Sequence, residues 1–204
     1  MLDDRTLREL FLPAFEIVVK EAHPKSIMSA YNKVNDTSAN ENHHLLVEIL
    51  RREWGFDGAV VTDWGGSNDH VEGVKNGSTL EMPSPGLGGA RKLLKAVAEG
   101  SLTEQEIDLR VDELLDLVLS TTAAMEKAPR SFDEKAHHEL AQRAAAESIV
   151  LLKNEGGILP LKHSKKIALI GDFALTPRYQ GAGSSMVNPT RVDSLKDEIG
   201  RAHV

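Results

Sequence analysis

The stretch "GAVVTDWGG", Gly58 to Gly66, is a short apolar run that ends abruptly in a carboxylate and an indole. Its apolar residues are continuous rather than alternating, which marks Ala59 to Thr62 as a strand buried on both faces, as in a parallel sheet. Upstream, Ser38 and Glu41 have capping-box spacing and predict a helix running to Trp54 and stopping at Gly55. Before it, "SIMSAYNKVN" reads as a strand from Ser26 to Ala30 that opens into a loop. Leu7, Leu10, Phe11, Ala14, Phe15, Val18 and Ala22 recur at helical spacing, so Asp4 to Ala22 is expected to form an amphipathic helix. Downstream, a short helix is predicted over His70 to Lys75, then a brief strand at "STLEMP", then a helix over Gly88 to Glu99. Strands alternating with helices in this order predict a parallel α/β structure.

Beyond it, Thr103 and Glu106 form a second capping-box pattern, opening a long helix to about Ala124. "MEKAPRS", Met125 to Ser131, reads as a linker. Ser131 and Glu134 form a third capping-box pattern, before an alanine-rich helix to about Glu147. "SIVLLKNEGGILPL" and "KKIALIGD" are then expected to be two strands of a separate α/β unit.

The composition, 41% hydrophobic and 27% charged, is that of an ordinary globular protein. A net charge of −7 without a long basic run argues against nucleic acid or an anionic membrane as partner. No apolar run approaches the length of a membrane span, which is about 20 residues. The chain has no cysteine, which excludes disulfides and thiolate metal sites and fits a reducing compartment such as the cytoplasm. His43-His44 and His137-His138 are adjacent pairs, not at the i, i+4 spacing that aims two imidazoles from one helix face. They read as surface residues, and no metal site is expected.

In parallel α/β folds, side chains at the C-terminal ends of the strands converge on the face where ligands bind. Three such ends are visible, at Tyr31-Asn32, Asp63-Trp64 and Glu81-Met82-Pro83. A carboxylate, a phenol and an indole together suit a sugar: the indole stacks on a pyranose face, the phenol donates a hydrogen bond, and the carboxylate meets the anomeric carbon. From spacing alone, Asp63 could equally cap its own loop, Tyr31 could cover the end of the sheet, and Met28 could be core. Trp54 aligns with Leu46, Ile49 and Leu50 on a helix face and reads as structural. Trp64 precedes two glycines, which suggests an open mouth. "GAGSS", Gly181 to Ser185, lies downstream of the strand-like "IALIG" and hints at a dinucleotide loop, but it lacks the third glycine and does not follow the strand directly.

Taken in order, "SIMSAYNKVN", "ENHHLLVEILRREWGFDGAVVTDWG", "TLEMP", "ESIVLLKNEGGILPL", "KIALIGD" and "GAGSSMVNPT" closely resemble glycoside hydrolase family 3, and especially its bacterial β-glucosidases. The resemblance covers the chain to about Asp197. It implies the last three strand-helix units of a (β/α)8-type barrel with a trailing helix over 1–124, a linker and helix over 125–147, and the start of a C-terminal α/β sandwich domain over 148–197. It further implies that Asp63 is the catalytic nucleophile of a retaining exo-β-glucosidase. Trp64 matches the aromatic flanking the sugar, Tyr31 the tyrosine beside the nucleophile, and Met28 a position near the sugar. Ser184 and Ser185 fall in a glycine-rich loop that reaches toward the cleft, which replaces the dinucleotide reading. The implied partner is a small β-glucoside or oligosaccharide, and no cofactor is needed. Within the family, xylosidase and arabinosidase activities are alternatives; outside that chemistry, a non-catalytic carbohydrate-binding protein on the same fold is another.

The resemblance also implies what lies elsewhere. The family's earlier strands supply a Lys-His pair and an aspartate that grip sugar hydroxyls, and its acid/base glutamate lies downstream of residue 204, so the general acid/base is expected to be absent from this chain. Glu81 is not assigned that role, because the matching position varies in the family. "EIGRAHV", Glu198 to Val204, can be encoded by GAG ATC GGA AGA GCA CAC GTC, which resembles the start of a common sequencing adapter. The expectation is therefore an incomplete chain with an adapter-derived tail over 198–204 and an internal methionine at Met1. Strands cut from a closed barrel expose an edge, so the isolated chain is expected to fold poorly and to be inactive.

Overall fold

At the centre of the region that carries Asp63, two strands run parallel, β1 (Ser26–Met28) and β4 (Ala59–Val61), in the register Ser26↔Ala59, Ile27↔Val60 and Met28↔Val61. The computed structural model describes residues 1–128, 131–162, 166–181 and 183–202, without the side chains of Ser184, Arg201 and Ala202. These residues divide into two units, Met1–Phe132 and Asp133–Val204.

Ala59 and Val60 are fully buried, as an uninterrupted apolar strand requires. A third extended segment joins β4 on its other side through one parallel bridge, Val61↔Leu80. Around that bridge, Leu80 donates to the Val60 carbonyl at 3.0 Å and Thr62 donates to the Leu80 carbonyl at 3.0 Å. The strand expected at "STLEMP" is thus reduced to a single bridging residue. Its continuation is held by a side chain instead, because Met82 N donates to the buried Thr62 hydroxyl at 2.8 Å.

Gly58, just before β4, is a steric requirement. A Cβ there would strike the Lys25 carbonyl and come within 2.9 Å of the Phe56 ring. Only glycine lets the two strand starts come this close.

The helical run α1 spans Asp4–Thr6, Leu7–Phe11, Pro13–Ile17 and Val18–Ala22, broken at Leu12 because Pro13 has no amide hydrogen to donate. Its second and fourth parts have the wider π-helical winding. A two-residue hairpin follows β1, formed by β2 (Lys33–Val34) and β3 (Thr37–Ser38). Its turn residues Asn35 and Asp36 both have positive φ, +50° and +67°, the backbone that suits the right-handed twist of a tight hairpin.

The next helix, α2 (His44–Glu53), is not opened by the Ser38–Glu41 capping box. Ser38 makes no cap hydrogen bond; a 3-10 turn, Ala39–Glu41, intervenes, and Asn42 Oδ1 accepts the Leu45 amide at 3.1 Å in its place. The helix therefore begins about four residues later than the sequence pattern suggests, on the amide nearest its first turn. Its apolar stripe joins Val19, Leu46, Leu50, Phe56 and Val60 into one core, against which Ile27, Leu45 and Trp54 pack. Trp54 is structural, as its alignment indicates.

Helix α3 (His70–Lys75) has the bounds read from sequence, and Asp69 caps it through the Val71 and Glu72 amides. α4 (Gly86–Ala98) begins two residues earlier than expected. α5 (Glu104–Lys127) carries the full capping box: Glu106 accepts the Thr103 amide at 2.8 Å while Thr103 Oγ1 accepts the Glu106 amide at 3.2 Å. That backbone donor holds the Glu106 carboxyl below the usual glutamate range.

In the second unit, α6 (Glu134–Ser148) is capped by Asp133, which accepts the Ala136 amide at 3.0 Å, rather than by Ser131. A carboxylate one residue before the helix is the nearer acceptor. The two strands expected after it do not form among the described residues. Ile149, Val150, Leu152 and Ile170 stand exposed, and a strand exists only where a neighbouring strand supplies its ladder. A 3-10 turn (Asp172–Ala174), another at Gly183–Ser185, and helix α7 (Leu195–Ala202) complete the unit.

Candidate active site

Because Met28, Val61 and Leu80 are in register, the chain leaves the parallel sheet along one edge at Tyr31, Asp63 and Glu81. The first two are drawn together by Gly66. A Cβ on that residue would lie 3.2 Å from the Tyr31 Cα, 3.2 Å from the Asp63 carbonyl, and against the Asn40 amide nitrogen. The loop "DWGG" closes through the Gly66 amide, which donates to the Asp63 carbonyl at 2.9 Å. Gly65, at φ +77°, supplies the left-handed step the turn needs.

Asp63 is half-buried at this edge. Its Oδ1 accepts the Trp64 amide at 2.7 Å, so the local capping that its residue type allows does occur. Among the described residues no hydrogen bond engages Oδ2, which leaves one carboxylate oxygen for a ligand. The cap holds the carboxylate in place through Oδ1 without consuming Oδ2.

Trp64 is 57% exposed and Tyr31 72% exposed. Aromatic side chains this exposed at a strand end present a stacking face and a hydroxyl that a ligand can use. Met28 is also exposed, and with Ile27, Phe11 and Phe15 it lines an open, largely apolar cavity of about 670 Å³.

Glu81, on the neighbouring strand end, is committed elsewhere. His70 Nδ1 lies 2.7 Å from its Oε2, and both side chains are largely buried.

The glycine-rich loop belongs to the second unit. Its base is stapled by one amide side chain: Gln180 Nε2 donates to the Val187 carbonyl at 3.0 Å and Gln180 Oε1 accepts the Val187 amide at 2.5 Å. Ser185 lies in the 3-10 turn with its hydroxyl against Gly181. The Ser184 side chain lies outside the described residues.

Sequence reasoning missed a ring of polar residues behind the strand-end loop: Ser38, Asn40, Glu41 and Asn68. The signal available was the density of amides and carboxylates in "SANEN" and "SND", but their partners lie about 30 residues away in sequence and no local pattern announces them.

Two family profiles match the chain, the "Glycosyl hydrolase family 3 N terminal domain" over residues 2–117 and the "Glycosyl hydrolase family 3 C-terminal domain" over 149–203. The chain belongs to glycosyl hydrolase family 3. Its α/β architecture, with helices and parallel strands, is that of the family's solved members. β-Glucosidase 3B from Thermotoga neapolitana, solved in complex with α-D-glucose, superposes with a TM-score of 0.85 at 34% identity, covering 98% of this chain and 29% of that one. Among curated relatives, thermostable β-glucosidase B of Acetivibrio thermocellus is 46% identical over 202 residues, 99% of this chain and 27% of its own length. An exo-α-(1→6)-L-arabinopyranosidase of Bifidobacterium longum is 44% identical over 207 residues, 97% of this chain and 27% of its own length. This family 3 chain therefore spans little more than a quarter of the relatives it matches.

Proposed function

We propose that this chain is the portion of an exo-acting, retaining β-glucosidase that carries its nucleophile, Asp63. In this reading β1, β4 and the Leu80 segment, each followed by helix, are the last three strand-helix units of a (β/α)8-type barrel with its trailing helix over 1–124. Residues 125–147 then connect to the start of an α/β sandwich domain from 148. The observation that carries the reading is the strand-end edge itself. A half-buried carboxylate with one oxygen anchored and the other open stands beside two exposed aromatics, in a chain of a glycoside hydrolase family.

The chemistry follows from that geometry. Asp63 attacks the anomeric carbon and forms a glycosyl ester as the glycosidic bond breaks, while a carboxylic acid outside these residues protonates the departing oxygen. Water then attacks the ester and releases the sugar with its original configuration; the two carboxyl groups of such a site stand about 5–5.5 Å apart. Trp64 provides the stacking face and Tyr31 a hydroxyl directed at the nucleophile. Met28 contributes to the wall around the sugar. Neither displacement requires a metal or organic cofactor.

A second reading, cleavage of α-L-arabinopyranosides, is favoured by the arabinopyranosidase relative, whose identity is nearly that of the glucosidase. The test uses the protein in which these residues stand within the family's full length. Proton NMR of an aryl β-D-glucoside reaction should show β-glucose as the first product, and kcat/KM should exceed that for the aryl α-L-arabinopyranoside. First release of α-glucose would refute retention, and reversed preference would move the assignment to the second reading.

A further inference from the structure

We propose that Glu41 is a positioning residue that locks the loop bearing Asp63 and Trp64 against the segment bearing Tyr31, an inference that rests on the glycosidase reading above. The observation is a convergence of backbone donors on one carboxylate oxygen. Glu41 Oε1 accepts the amides of both Asn68, at 2.6 Å, and Asp69, at 2.7 Å. These amides end the loop that begins at Asp63, and α3 starts immediately after them. Hydrogen bonds from amides to an ionised carboxylate are shorter and stronger than neutral ones.

Glu41 does not act alone. Asn68 Nδ2 donates to Ser38 Oγ at 2.9 Å and to the Gly66 carbonyl at 3.1 Å, so the same loop is gripped at its middle. Beneath Gly66 lies Asn40, 1% exposed, whose Oδ1 accepts the Ser29 hydroxyl while its Nδ2 is buried against the loop with no partner among the described residues. Asn76 Nδ2 fixes Glu41 from behind through its carbonyl, at 2.9 Å.

What makes this a device for the site is where the segment 38–41 is anchored at its other end. The hairpin β2–β3 returns it directly to Tyr31, and the Ala39 amide donates to the Asn32 carbonyl at 3.0 Å. One side of the 38–41 segment is thus tied to Asn32, the neighbour of Tyr31, and the other to the Asp63–Asp69 loop. The sheet sets the strands in register only as far as Met28 and Val61. Beyond that register, the clamp sets the approach of phenol to carboxylate, and a small misplacement of reacting groups has a large kinetic cost.

The experiment measures covalent inactivation of the full-length protein by 2,4-dinitrophenyl 2-deoxy-2-fluoro-β-D-glucoside. Its leaving group needs no protonation, so the rate reports the nucleophilic step apart from the acid. Glu41→Ala should slow the first-order inactivation step by about tenfold or more, a change of ~1.4 kcal/mol in barrier, with thermal melting still well above the assay temperature. Glu41→Gln keeps an oxygen that accepts both amides and should restore the rate to within about threefold. A general loss of stability would not separate these two variants at the chemical step. If Glu41→Ala does not fold, Asn68→Ala, which removes only the bonds to Ser38 and Gly66, takes its place with the same expected slowing. Inactivation of the folded alanine variant at the unaltered rate overturns the proposal and leaves the glycosidase reading intact. Failure of the unaltered protein to become labelled at Asp63 overturns the reading and the proposal together.

Discussion

The two ends of the same parallel strands are built on opposite principles. At the end where β4 begins, a buried charged network spans the strand starts, although Arg51 Nε and two nitrogens of Arg110 find no partner among the described residues. Arg51 donates to the Gly77 carbonyl at 2.9 Å, to the Gly58 carbonyl at 3.2 Å and to Glu113 at 3.0 Å. Glu113 also accepts from Thr79 at 2.5 Å and pairs with Arg110 at 3.1 Å, and Thr79 Oγ1 accepts the Val60 amide at 2.9 Å. Burial pushes the Arg51 guanidinium below its ordinary range, while the charge of Glu113 opposes the shift. At the other end, Tyr31 and Trp64 are exposed and Asp63 keeps an oxygen open. One end uses its charges to hold strands together; the other leaves Tyr31, Trp64 and one Asp63 oxygen open beside a loop held by amides, a glycine contact and Glu41. In parallel barrels stability resides at the strand starts and chemistry at the strand ends, which is the division the proposed glycosidase reading expects here.

The largest effect is expected from Glu113→Ala in the full-length protein. It would leave Arg51 and Arg110 facing each other, mostly buried, without a counter-charge. Breaking a buried ion pair by removing one partner costs on the order of 3–5 kcal/mol. Denaturant unfolding should show a loss of this size. A loss below about 1 kcal/mol, the range of exposed pairs, would mean that the network does not hold the strand starts. The complementary substitution, Trp64→Ala, should leave stability within about 0.5 kcal/mol, because an exposed side chain gives up little on truncation. Its kcat/KM for an aryl β-glucoside should fall by about tenfold, the equivalent of ~1.4 kcal/mol of lost stacking. A large drop in unfolding midpoint with unchanged kcat/KM would assign Trp64 to the fold instead.

What the sequence discloses about these two ends differs for a physical reason. The strand β4, helix α3 and the capping box of α5 are local features: an apolar run, a helical repeat, and a Thr-Glu pair three residues apart. Each can be read within a window of about ten residues. The residues of the candidate site, Asp63, Trp64 and Tyr31, were legible because they end such runs and because the surrounding motifs resemble a known family. The Arg51–Glu113 pair and the clamp from Glu41 to Asn68 were not, because each partner is satisfied only when distant segments meet. Glu41 is instructive, since its spacing from Ser38 suggests a cap on its own helix, whereas its carboxylate caps a loop 27 and 28 residues away. Likewise, "SIVLLKNEGGILPL" has the composition of a strand but meets no neighbour among the described residues, and composition alone cannot supply a ladder.

In the proposed mechanism the free oxygen of Asp63 becomes bonded to the anomeric carbon of the sugar. The direct measurement is peptide mapping by mass spectrometry after the full-length protein is trapped with the 2-deoxy-2-fluoro-β-D-glucoside. A fluoroglucosyl group should be found on the peptide containing "VVTDWGG", with fragment ions placing it on Asp63, and it should be missing from Asp63→Asn. A glycosyl label on another carboxylate, or complete inactivation with Asp63 unmodified, would contradict the account.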